Sequence, residues 1–134
     1  SPRLINSEHL QRQMCADLFL DTFPICAHTT ASDALWVGLP ILTMSGKSMV
    51  SRVAGSALKN IGLEELITHS IREYKDKALY LANNPKELNI IKEKIISNRF
   101  NYPLFKTKEF TKNLEKVYVN LFDEFKDNYK SNKV

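Results

Sequence analysis

A chain of 134 residues, 43% hydrophobic and 25% charged, has the size and balance of one folded domain with a real core. The formal charge of +4 is unevenly placed: residues 1–70 carry 5 basic and 6 acidic side chains, residues 71–105 carry 7 and 4, and residues 106–134 carry 7 and 5. That excess is interleaved with acids and apolar positions, which argues for solvated helix faces and against nucleic acid as a partner; no apolar run is long enough to expect a membrane. Cys15 and Cys26 show no metal-ligand spacing and no disulfide framework, and both are expected as buried thiols. The first residues, Ser1-Pro2, are not a start Met and carry no secretory signal, so we expect a piece of a longer protein working in the cytoplasm.

In chain order, Arg3-Leu4-Ile5 is read as a short strand, and Ser7 as the cap of a helix over 8–16. Leu18-Phe19-Leu20 is a short apolar run of the kind covered on both faces in a parallel sheet. A turn with Pro24 follows, and then the stretch from His28 to Pro40. Thr30 and Asp33 have the spacing of a capping box ahead of Ala34-Leu35-Trp36-Val37; Gly38 ends that helix and Pro40 forbids its continuation. Ile41 to Met44 is a buried strand. Strand, loop, helix and strand at such short intervals argue for a parallel sheet with helical crossovers. A loop opening a helix at His28-Thr29-Thr30 aims free N–H groups and the positive end of the helix dipole at one point, which suits a phosphate. On the residues alone, Thr30 and Asp33 serve equally as a cap, and His28 as a loop histidine.

Ser45-Gly46-Lys47-Ser48 resembles the end of a P-loop, but the required first glycine is Ile41 here. A helix over 49–60, rich in small residues, is predicted next. From there the chain reads as helical. Ser70 and Glu73 make a capping box for a helix ending near Pro85, Leu88, Ile91 and Ile95 stripe a second, and Thr107 caps a third. In the third, Phe110, Leu114, Val117, Leu121 and Phe125 form a stripe expected to be core, and the residues after Tyr129 a frayed tail. The organisation expected is a single domain over 1–134, α/β over 1–70 and helical over 71–130.

The strings Ala16-Asp17-Leu18-Phe19-Leu20-Asp21-Thr22, Ala27-His28-Thr29-Thr30-Ala31-Ser32-Asp33-Ala34-Leu35-Trp36 and Gly38-Leu39-Pro40 closely resemble the C-terminal lobe of the O-GlcNAc transferase family, including its Spindly-like members. Thr43-Met44-Ser45-Gly46, Ser51-Arg52-Val53-Ala54 and Pro103-Leu104-Phe105 with Thr107 fit the same family. The resemblance implies a Rossmann-like lobe of a GT-B glycosyltransferase, with a short parallel sheet and a helical C-terminal half. It also implies UDP-GlcNAc as the donor, inverting transfer of the sugar to Ser or Thr hydroxyls of a protein acceptor, and no metal or other cofactor. Residue by residue, His28, Thr29 and Thr30 match diphosphate-binding positions and Asp33 the carboxylate that holds the ribose. His9 falls where a histidine packs on uracil and Arg12 where an arginine reaches the base; Asn6 stands where the family has a lysine. The family's catalytic groups, its other lobe and its helical repeats lie upstream of these motifs, so no catalytic residue is expected here and the isolated chain is expected to be inactive. The alternatives are a non-catalytic scaffold domain of the same ancestry and another GT-B sugar-nucleotide enzyme.

Overall fold

Strand β2, Ile41–Met44, is buried along its whole length and holds the centre of a three-stranded parallel sheet, with β1 (Phe19–Leu20) on one side and β3 (Ile67–Thr68) on the other. A strand hydrogen-bonded on both edges and covered on both faces must be apolar throughout, and Ile-Leu-Thr-Met meets that demand because the one hydroxyl, on Thr43, has an acceptor. The computed structural model describes residues 4–131, and side-chain surroundings through residue 128. It divides into two compact units, 1–104 and 105–134.

The first unit is α/β. Helix α1 (Asn6–Gln13) leads to β1, α2 (Thr29–Val37) crosses from β1 to β2, and α3 (Val53–Lys59) crosses from β2 to β3. Helices α4 (Ile71–Asn83) and α5 (Pro85–Asn98) complete it. Gly38 stops α2 in the left-handed conformation at φ 87°, with its N–H on the Leu35 carbonyl. Ala54 and Gly55 are buried on α3, so their small size lets that helix lie close to the sheet. Leu88, Ile91 and Ile95 of α5 are buried as their stripe predicts, whereas of the α4 positions Ile71, Tyr74, Ala78, Leu81 and Ala82, which the sequence places on one face, Leu81 is buried and Ile71 is 58% exposed. The Ser70 hydroxyl accepts the Glu73 N–H at 3.2 Å, and the Glu73 carboxylate reaches back to the His69 N–H at 2.8 Å. The return bond thus lands one residue before the cap.

Several expectations change. Helix α1 begins at Asn6 with Ile5 as its cap, not at Ser7, and ends at Gln13. Leu4 and Ile5 form no strand, and Arg3 lies outside the described residues. β1, at a sheet edge, is not covered on both faces: Phe19 is half-buried and Leu20 is 52% exposed. The segment 49–60 is split: Met49–Ser51 is a 3₁₀ turn and the α-helix starts at Val53. β3 and the 3₁₀ turn before it, Glu64–Leu66, fall in a stretch that the sequence reads as helical, because two strand residues are too few to show alternation. Cys26 is buried, but Cys15, past the end of α1, is exposed.

The second unit is helix α6, Thr107–Ser131, which starts at Thr107 itself rather than after it. Its apolar stripe is not core: Phe110 is 63% exposed, Leu121 55% and Phe125 64%. The periodicity is a property of the helix alone, and a lone helix has no second element in its own unit to cover the stripe. The tail expected beyond Tyr129 falls partly on residues 132–134, outside those described.

Candidate functional site

The loop from β1 to α2 is built around one carboxylate. Asp21, buried at the end of β1, accepts the Thr22 N–H at 2.8 Å and the Ala27 N–H at 2.7 Å on Oδ1, and the Thr43 hydroxyl of β2 at 2.6 Å on Oδ2. A single side chain thereby ties both ends of the loop to each other and to the central strand. The Tyr74 hydroxyl of α4 donates to the Asp21 carbonyl at 2.9 Å. Burial pushes the Tyr74 phenol above its ordinary range, and the Asp21 charge adds to the shift.

Beyond Ala27 the chain turns directly into α2. Its cap is His28, without a side-chain cap bond, so the Thr30–Asp33 capping box is not formed. The helix opens two residues earlier than that spacing implies, which leaves Thr30 as its second residue and frees its hydroxyl from capping. The N–H groups of Thr29 and Thr30 lie in the first turn, where a helix offers no internal acceptor, and His28, Thr29 and Thr30 are all exposed. The Val50 carbonyl fastens the neighbouring loop: it accepts the Cys26 N–H at 3.0 Å and thiol at 2.9 Å, and lies 3.5 Å from His28 Nε2. The result is a rigid-backed, open helix start at the carboxyl end of a parallel strand, where α/β sheets place ligands.

A second group comes from α1, which packs on α2. His9 Nε2 lies 4.0 Å from Asp33 Oδ2, an ion pair when the ring is protonated. Arg12 donates to His9 Nδ1 at 3.0 Å, and the Gln13 amide lies 2.9 Å from His9 Nε2. A neutral imidazole cannot accept at both nitrogens, so with Nδ1 accepting from Arg12 the Gln13 oxygen is the atom that faces Nε2–H. The predicted residues therefore fall into two sets, His28, Thr29 and Thr30 at the start of α2, and His9, Arg12 and Asp33 between α1 and α2. Lys47 is exposed on the loop after β2. Among the described residues no three His, Cys, Asp or Glu side chains converge to hold a metal ion, and no helix is long and apolar enough to cross a membrane.

Sequence reasoning assigned no role to Asp21. It stands in a string that carries the family resemblance, but an acid next to a turn residue is read as surface until its partners are known.

Residues 1–114 match the family model described as glycosyl transferase family 41. Over 121 residues the chain is 40% identical to the probable UDP-N-acetylglucosamine–peptide N-acetylglucosaminyltransferase SEC of Arabidopsis thaliana, covering 89% of this chain and 12% of that protein. It is 34% identical over 119 residues to the UDP-N-acetylglucosamine–peptide N-acetylglucosaminyltransferase of Caenorhabditis elegans, covering 88% and 10%. A solved structure, a mutant O-GlcNAc transferase of Thermobaculum terrenum, superposes with a TM-score of 0.79 at 32% identity, over 88% of this chain and 22% of that one. The chain thus spans about an eighth or less of the length of these curated relatives.

Proposed function

The chain belongs to glycosyl transferase family 41, and from that premise we propose that it is part of a protein O-linked glycosyltransferase, the part that holds the UDP portion of a sugar nucleotide. The observation that carries this reading is the helix start at His28-Thr29-Thr30, exposed, uncapped by side chains and braced from behind by Asp21. The N–H groups and hydroxyls of Thr29 and Thr30, with the His28 ring beside them, hold the diphosphate. They supply fixed dipoles where charge accumulates on the leaving group, so a metal ion is not required for that step. Asp33 accepts the ribose hydroxyls from the next turn of α2. His9 packs against the uracil ring and Arg12 reaches the base, their geometry set by the contacts among His9, Arg12 and Gln13.

The donor is UDP-N-acetylglucosamine, in keeping with the names of the relatives, and the acceptor is a Ser or Thr hydroxyl of a protein in the cytoplasm, with inversion at the sugar carbon. Bond-making belongs to an upstream lobe, which together with helical repeats completes the enzyme. The isolated chain binds UDP weakly and transfers nothing. Calorimetry with UDP tests the site: His28→Ala and Asp33→Ala each weaken binding about tenfold, the loss of one charge-assisted or ring contact. Equal affinity of the wild type and both variants overturns the assignment.

A further inference from the structure

Ser45-Gly46-Lys47-Ser48 is not a P-loop, yet its first residue belongs to a second polar concavity. Beyond the carboxyl ends of β2 and β3, Ser45, Arg52, Ser56, Lys59 and His69 line a cleft of about 310 Å³. Gly55 forms part of its floor; a Cβ there would stand 3.6 Å from Ser45 Oγ and 3.7 Å from Ile67, so the cleft is open partly because this position lacks a side chain. Of the five polar side chains, three are basic or imidazole, two are hydroxyls and none is a carboxylate.

The neighbouring acids do not neutralise it. Among the described residues neither Arg52 nor Lys59 is in an ion pair. Glu65 is held by Lys94 at 2.7 Å. Glu73 is occupied by the His69 N–H and is not among the residues lining the cleft. A planar guanidinium, an ammonium, an imidazole and two hydroxyls around one concavity are the complement of a tetrahedral oxyanion, and the carboxyl ends of parallel strands are where such ligands sit. None of the lining residues belongs to the set at the start of α2 or to the His9 group.

We propose that this cleft is an anion site that takes a phosphoryl group, separate from the start of α2. Arg52 provides the bidentate contact, Lys59 the second charge, and Ser45 and Ser56 the donors that fix orientation. The site does not depend on the UDP reading.

The test is an amide-resolved NMR titration of the 134-residue chain with inorganic phosphate, and separately with UDP, at low ionic strength, where exposed charges are least screened. Phosphate is expected to saturate at millimolar concentration, with the largest shifts at Ser45, Gly55, Ser56 and His69. Arg52→Ala, at an exposed position, weakens this binding about tenfold. Gly55→Leu, which fills the cleft, removes it, and both variants leave the UDP shifts unchanged. Shifts confined to Thr29 and Thr30, or no saturable shift at all, overturn the proposal. So does UDP moving the cleft amides as strongly as phosphate does, since the cleft would then be an arm of the nucleotide site. UDP that fails to move His28 to Asp33 defeats the nucleotide reading and leaves the cleft standing.

Discussion

Replacing Asp21 by Ala removes the acceptor of three hydrogen bonds at once. The Thr22 N–H lies in an exposed segment and recovers a bond to water, so its loss costs little. The Thr43 hydroxyl is fully buried and the Ala27 N–H half-buried, so both are left without a partner. A buried donor that loses its acceptor costs about 1–3 kcal/mol, which gives about 4 kcal/mol for the two. A domain of this size is stable by about 5–15 kcal/mol, so the substitution takes a large share of the total. Asp21→Asn separates the hydrogen bonds from the charge. Its carbonyl oxygen serves the same two N–H groups, and its NH₂ donates to the Thr43 hydroxyl instead of accepting from it, at a cost of about 1 kcal/mol. Urea unfolding followed by far-UV circular dichroism reads the difference directly: the Ala midpoint falls by about 2 M for a slope of about 2 kcal/mol per M, and the Asn midpoint by about a quarter of that. An Ala variant no less stable than the Asn variant refutes the carboxylate as the anchor of this loop.

Two further outcomes follow from local geometry. Gly62 has φ 74°, and a Cβ there would stand 2.5 Å from Tyr102 Cε1, so Gly62→Ala lowers stability by about 2 kcal/mol in the same urea assay; an unchanged midpoint contradicts the tight approach. The Asp17 carboxyl is held below its ordinary value by the hydrogen bond and charge of Lys92, 2.8 Å away. The pair's stabilisation is therefore complete above the ordinary aspartate range and disappears as pH falls through the lowered value. Lys92→Ala returns Asp17 to its ordinary titration, measured by side-chain carboxyl NMR, and a titration that does not move rules the pair out.

The start of α2 shows how far local pattern reaches. A Thr-Thr pair after a turn, a left-handed Gly38 and a buried Ile-Leu-Thr-Met strand are short-range features, decided by backbone propensities and by which residues can be hydrogen-bonded on both edges. All three were legible. Thr30 and Asp33 have the spacing of a capping box, but the helix starts at Thr29, just after a loop that Asp21 holds by bonds to the Ala27 N–H and to the central strand. Those bonds join residues from two strands and a loop, and no spacing rule connects them.

The sequence by itself determined the parallel α/β plan, the Ser70–Glu73 box, the buried stripe of α5 and the family strings around His28. Each depends on residues a few positions apart, within reach of one helix turn or one strand pleat. Tertiary structure alone decided that Leu20 is at a sheet edge, that the apolar face of α6 is exposed, that His9 lies beside Asp33, and that Arg52, Lys59 and His69 share a cleft. Periodicity states that a face is apolar, but burial depends on whether a second surface comes to meet it.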